Sequence, residues 1–245
     1  MTAGPQGTGV GGIETRTIDR VPEHERHGSP WNQLTLWFGA NMQITAVVDR
    51  ALADIFGAEA LTAIAGLPIG NLLGGTVMAL HSAQGPRMGL PQMITSRAQF
   101  GVKGAALLLL LVIVMYLGFA ATGTVLAGQA INKMFGIAAP EIGILIFGTL
   151  TAAAIIGYRL IHMIGRVSTV VGIIGFGYLA VRLFATYDVT AALGKQPFWF
   201  ATFLFAISLS AGWQLTFAPY VADYSRYLPS RTPRAKTFWA TFPAR

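Results

Sequence analysis

Apolar residues crowd into six stretches along this chain: Leu34–Phe56, Leu61–Leu80, Ala105–Ile131, Ile142–Ile161, Val167–Phe184 and Phe198–Pro219. Each is close to the ~20 residues a helix needs to cross a ~30 Å hydrocarbon layer. Gly or polar groups interrupt several of them, so none is a plain run of Leu and Val. The pattern predicts an all-α integral membrane protein of about six transmembrane helices. It also sets a puzzle. The first stretch contains WFGANMQITAVVDR (Trp37–Arg50), with Asn41, Gln43 and Asp49 near the middle of a helix expected in lipid. Unsatisfied polar groups there cost several kcal/mol each, so these side chains must face protein or a water-filled cavity.

Composition agrees with a membrane solvent. Of 245 residues, 53% are hydrophobic and only 11% charged, whereas soluble domains carry about a quarter. The net charge of +7 is not a nucleic-acid footprint, because the bases are dispersed between apolar runs. They alternate in side instead. With a cytoplasmic N-terminus, the inside regions hold 13 bases (Arg16, Arg20, Arg26, Arg87, Arg97, Lys103, Arg159, Arg166, Arg226, Arg231, Arg234, Lys236 and Arg245). The outside holds 4: Arg50, Lys133, Arg182 and Lys195. This is the bias expected of a multi-pass protein of the cytoplasmic membrane. Residues 1–30 lack a signal-peptide core and read as a disordered cytoplasmic tail, with the first helix as an uncleaved signal anchor. Residues 31–219 carry the helices. Residues 220–245 read as a cytoplasmic segment leading toward a second half. The Gly- and Pro-broken loop His81–Ala105 contains PQMITSRAQ, a candidate short amphipathic helix serving as connector or gate.

Asn41 and Gln43 are two residues apart and share no face of an unbroken helix. Unwinding around Gly39-Ala40-Asn41 removes that restriction. It frees carbonyls as ion ligands and leaves a helix N-terminus to favour an anionic or carbonyl group. The competing reading is amide hydrogen bonding between helices. The sixth stretch repeats the polarity with Ser208, Ser210, Gly212, Trp213, Gln214, Thr216 and Pro219. Gly212 gives backbone freedom and Pro219 breaks the helical ladder. Trp213 offers a stacking face and Gln214 a paired donor and acceptor, which suit a flat heterocycle; packing is the alternative for Trp213. Two interrupted helices five apart point to an inverted-repeat secondary transporter, with helices one and six discontinuous.

Three segments, PEHERHGSPWNQLTLWFGANMQ, GPRMGLPQMITSRAQFG and PYVADYSRYLP, resemble the nucleobase:cation symporter-1 (purine–cytosine permease) family from about residue 22 onward. The resemblance implies the first half of a leucine-transporter-type fold of twelve helices. It implies uptake of cytosine, a purine or another planar heterocycle such as uracil, allantoin, a hydantoin or a thiamine-like compound. Na⁺ or H⁺ would be the coupling ion and no other cofactor is needed. Carried over, Gly39, Asn41, Gln43, Tyr116, Gly212, Trp213 and Gln214 contact substrate, and Ala40 and Gln43 lend backbone ligands to Na⁺; among the polar residues of the third helix, Thr122 reads as the one nearest the cavity and in contact with substrate. Relatives place an amide four residues after the aromatic of the third helix, where this chain has Ala120, which leaves the base unspecified. Asp49 and Arg50 read as structural residues that neutralise one another or pair elsewhere, with Arg50 snorkelling outward, or Asp49 as a proton-coupling carboxylate. Asp223, Tyr224 and Arg226 read as a cytoplasmic network with helix ends, extending optionally to Arg97, that stabilises one gate state rather than touching substrate. A transport-incompetent membrane protein is the alternative of another class.

An enzyme is unsupported. His24, His27, His81 and His162 form no ligand motif, there are no cysteines, and no phosphate-binding glycine loop is present.

Overall fold

The computed structural model describes residues 16–152, 158–193 and 197–242. Among these, a 3₁₀ turn at Glu23–Glu25 precedes α1 (Trp31–Asn41), α2 (Ile44–Ile55), α3 (Ala60–Ser82), α4 (Gly85–Met88), α5 (Gln92–Thr95) and α6 (Arg97–Phe135). Then come α7 (Pro140–Ala152), α8 (Tyr158–Thr186), α9 (Val189–Ala192), α10 (Phe200–Phe217), α11 (Val221–Ser225) and α12 (Arg234–Thr241). The described residues contain no strand.

Among the described residues, four stretches are long and apolar enough to cross a membrane: Ala60–Met88, Arg97–Phe135, Met163–Thr186 and Phe200–Phe217. The protein is all-α and multi-pass. The first apolar stretch is two helices of 11 and 12 residues, separated at Met42-Gln43. At ~1.5 Å per residue each reaches about half of the hydrocarbon layer. The fourth stretch begins as α7, and its part at 153–157 lies outside the described residues, as do residues 1–15 and Lys195. The loop helix read in PQMITSRAQ is the single turn α5. It leads into α6, which bends at Gly101 (φ 67°), a left-handed conformation glycine adopts without strain.

Close backbone approach builds the bundle. Gly66, Gly70 and Gly74 recur every four residues along one face of α3, against Ala206, Ile207 and Ala211 of α10. A Cβ on Gly70 would overlap the Ile207 carbonyl oxygen, and one on Gly74 the Ala211 carbonyl oxygen. In lipid, apolar side chains gain little by leaving their solvent, so such small-residue seams supply dispersion contact. Gly39 of α1 meets Gly165 of α8 in the same way, and Thr169 Oγ1 donates to Thr35 O at 2.8 Å across that seam. Around these contacts Leu36, Trp37, Ala46, Met78, Trp213, Phe217 and Val221 form the main core. Leu117 and Val181, by contrast, are about two-thirds exposed on α6 and α8 (66% and 68%), as lipid-facing positions require.

The expected tail at residues 1–30 is corrected for Arg16 to Pro30. Val21 is fully buried, and Glu25 and Arg26 are buried too. Val21 N donates to Gly89 O at 2.8 Å and His27 N to Tyr227 O at 2.7 Å. The Arg26 guanidinium donates to Val21 O at 2.9 Å and to Pro86 O. Arg26 occupies the space a side chain on Gly89 would need, and Gly89 itself turns at φ 62°. Charged residues in this segment thus meet backbone carbonyls and one another, which composition alone does not reveal.

Candidate functional site

At the break between α1 and α2 the two helix ends leave opposite backbone groups free. The carbonyl end of α1 carries partial negative charge and the amide end of α2 partial positive charge. Gln43 is extended (φ −134°, ψ 156°) at the start of α2 and makes no side-chain cap there. Its Nε2 turns back instead, donating to Ala40 O at 2.8 Å, and the side chain is exposed. Ala40 and Gln43 therefore already partner each other at the position assigned to the ion.

Asn41 lies at the centre of a buried polar cluster joining the first stretch to α3 and α10. Its Nδ2 donates to Trp37 O at 2.8 Å, which fixes the amide orientation. Its Oδ1 accepts from Trp213 Nε1 at 2.8 Å and, more weakly, from Gln214 Nε2 at 3.4 Å. Gln214 Nε2 also donates to Asn71 Oδ1 at 2.9 Å. Gln214 is fully buried, yet its Oε1 has no partner, and neither has the buried Ser210 Oγ one turn earlier. Buried acceptors are normally satisfied, so this oxygen is an open acceptor inside the bundle.

The indole of Trp213 is only 4% exposed. Phe119 meets it edge-on at 5.6 Å, Phe217 at 5.8 Å, and the Arg50 guanidinium carbon lies 5.9 Å from its centre. Tyr116 stands one turn from Phe119 on α6 and packs against Tyr220 at 4.9 Å. Gly212 has open space where a Cβ would stand, although α10 stays helical through it and the chain leaves the helix only at Ala218.

Several predicted positions lie elsewhere. Gly39 faces α8, as its contact with Gly165 shows. Thr122 is exposed and its Oγ1 donates to Gly118 O at 2.9 Å, the self-satisfying bond available to threonine in a helix. Asp49 and Arg50 make no direct hydrogen bond, although their charges stay within electrostatic reach. Consecutive helical residues diverge in direction, and Arg50 donates back to Ala46 O at 2.8 Å beneath Trp213. Asp49 Oδ2 is buried without a hydrogen-bond partner.

The gate group is also rearranged. Arg97 is exposed at the start of α6, and no hydrogen bond or ion pair joins it to Asp223. Asp223 Oδ1 accepts instead from Gln92 N at 2.6 Å. Burial pushes the Asp223 carboxyl above its ordinary range, and the Gln92 N–H opposes that shift. The Gln92 side chain closes the break after α10, donating to Ala218 O at 2.6 Å and accepting from Ala222 N at 3.1 Å. Arg226 is buried against Tyr227 and donates to Arg16 O at 2.7 Å. The GPRMGLPQM and PYVADYSRYLP segments are thus stitched together by Gln92.

Sequence reading missed Asn71, Phe119 and Gln92. Asn71 had a signal, being an amide inside the apolar run of α3; Phe119 is one of many aromatics and had none. Among the described residues, no group of three or more His, Cys, Asp or Glu could hold a metal.

Residues 20–245 match the model of a family described as permease for cytosine/purines, uracil, thiamine, allantoin. The chain is 40% identical over 230 residues to the Bacillus subtilis protein named "Putative purine-cytosine permease YxlA", covering 94% of this chain and 50% of that one. It is 28% identical over 245 residues to the Saccharomyces cerevisiae purine-cytosine permease FCY21, covering 93% of this chain and 44% of the relative. For the purine-cytosine permease FCY2 of the same yeast the identity is 27% over 243 residues, with the same 93% and 44% coverage. The chain spans about half the length of these curated relatives. No solved structure matches it.

Proposed function

Because this chain belongs to the family of permeases for cytosine/purines, uracil, thiamine and allantoin, we propose that it serves cation-coupled uptake of a nucleobase such as cytosine or a purine. In this reading it is the first half of a leucine-transporter-type inverted repeat in the cytoplasmic membrane, with the N-terminus inside. The reading is one of transport, not of enzymatic chemistry.

One observation carries the site: Gln214 Oε1 is buried and unpartnered within an amide cluster beside a helix break. A nucleobase edge presents N–H donors and carbonyl acceptors in one plane. Gln214 Oε1 accepts a ring N–H, while Asn41, held by Trp37 and Trp213, fixes the side of the cluster nearest the break. Tyr116, Phe119 and Trp213 supply the aromatic wall. Where the coupling ion is Na⁺, the carbonyl end of α1 near Ala40 favours it, with Gln43 releasing Ala40 O when the ion arrives. Alternating access then opens the break to one side at a time.

The test is uptake of radiolabelled cytosine, hypoxanthine, uracil and allantoin by cells or proteoliposomes carrying the full-length protein, with and without a Na⁺ gradient. Cytosine or hypoxanthine uptake is expected, falling about tenfold in Gln214→Ala, since a buried hydrogen bond of ~1.4 kcal/mol corresponds to that factor. Absence of uptake of all four compounds by well-folded protein refutes the proposal. Uptake confined to uracil or allantoin moves the substrate within the family.

A further inference from the structure

At one end of the bundle, α12 lies along the end of α3. Thr237, Ala240 and Thr241 are its buried face, and Thr241 Oγ1 hydrogen-bonds Ser82 Oγ at 2.8 Å. The opposite face of α12, with the turn α4, walls a groove of about 610 Å³. Its floor is apolar: Leu80, Met88, Phe238 and Trp239, with Trp239 61% exposed. Its rim holds Arg87 and Arg234, both exposed, and neither makes a hydrogen bond or ion pair among the described residues. No carboxylate comes from either wall. The chain has no Asp or Glu between Glu59 and Glu141, and none after Asp223.

We propose that this groove binds an anionic phospholipid, its phosphate between Arg87 and Arg234 and an acyl chain along Leu80, Met88, Phe238 and Trp239. Guanidinium groups match phosphate oxygens in pairs and shed water more readily than ammonium groups. An aromatic side chain at a helix end suits the boundary between headgroup and acyl chain. Charge complementarity selects the anionic lipid over a zwitterionic one, and the apolar floor selects a lipid over a free anion.

Trp239 supplies the readout. Full-length protein in nanodiscs of phosphatidylcholine is titrated with brominated phosphatidylglycerol, and in parallel with brominated phosphatidylcholine. Phosphatidylglycerol is expected to quench the emission component that Trp239→Phe abolishes, at a mole fraction where phosphatidylcholine barely does. Each arginine near an anionic headgroup contributes about a fivefold factor, so Arg87→Gln with Arg234→Gln lowers the preference by roughly 25-fold. Lys133→Gln, at the far end of α6, leaves it unchanged. Millimolar inorganic phosphate does not compete, whereas competition would identify a free-anion site and overturn the lipid. Equal quenching by both lipids, or a preference that survives the double substitution, also overturns the proposal. So does a Trp239 that neither lipid reaches, which would place protein over the groove.

Discussion

A single oxygen, Asn41 Oδ1, holds the candidate site together by accepting from Trp213 and sharing Gln214 with Asn71. Interhelical hydrogen bonds in membranes contribute about 0.6–1.7 kcal/mol. Asn71→Ala is therefore expected to weaken cytosine binding by roughly three- to fifteenfold, because Gln214 loses its better-placed anchor. Unchanged affinity in an equilibrium binding assay would remove Asn71 from the site. Asp49 behaves in the opposite sense. Its buried oxygen has no partner and Arg50 has turned to Ala46 and Trp213. Asp49→Asn keeps the volume and replaces a half-buried carboxylate, whose Oδ2 has no hydrogen-bond partner, with a neutral amide, so the unfolding temperature in detergent should rise. A fall would reveal a partner for the carboxylate.

Between elements, the seams are set by glycine and by amides. Gly70→Ala places a methyl group against the Ile207 carbonyl and is expected to cost about 1–3 kcal/mol as α3 and α10 separate, read as a lower unfolding temperature. Gln92→Leu strips the partners from Ala218 O and Ala222 N, each orphaned group costing ~1–3 kcal/mol. That variant should expose the α10–α11 junction to faster hydrogen exchange. Protection equal to wild type would show that the junction holds without the stitch. In the gate group read from sequence, Asp223 bonds a helix end through Gln92 N, and Arg97 stays outside. Arg97, Asp223 and Arg226 carry opposite charges, yet the backbone presents Gln92 to the carboxylate and Arg16 O to the guanidinium first.

Across the whole molecule, the segment from Arg16 straps the loops after α3 and α11. Arg16 bonds Glu25 through two contacts, Nε to Oε2 at 3.0 Å and Nη2 to Oε1 at 2.6 Å. Glu23 accepts from Ser230 N at 3.0 Å. The Arg16 hydrogen bonds hold the Glu25 carboxyl below its ordinary value of 4.5, and the Ser230 N–H does the same for Glu23. For a lowered acid the sign is fixed: the docking contribution is complete above pH 4.5 and fades as pH falls through the lowered folded value. Acidification should undock residues 16–30, seen as rising hydrogen exchange there before the helices respond. Because Arg16 is partly exposed, Glu25→Gln should cost no more than about 1 kcal/mol at neutral pH.

Hydrophobic runs of membrane length determined the all-α, multi-pass class from sequence, because backbone groups in lipid have few ways to be satisfied other than in helices. Asn41, Trp213 and Gln214 were legible too, since polar groups in such runs need partners or cavities. Which partner each takes was not. Pairing depends on helix rotation and on where a chain breaks, and the glycine seams of α3 and α1 fix both by letting backbones touch. That is why Gly39 packs on α8, Thr122 satisfies itself, and the unsuspected Asn71 and Gln92 hold the polar centre and the α10–α11 break.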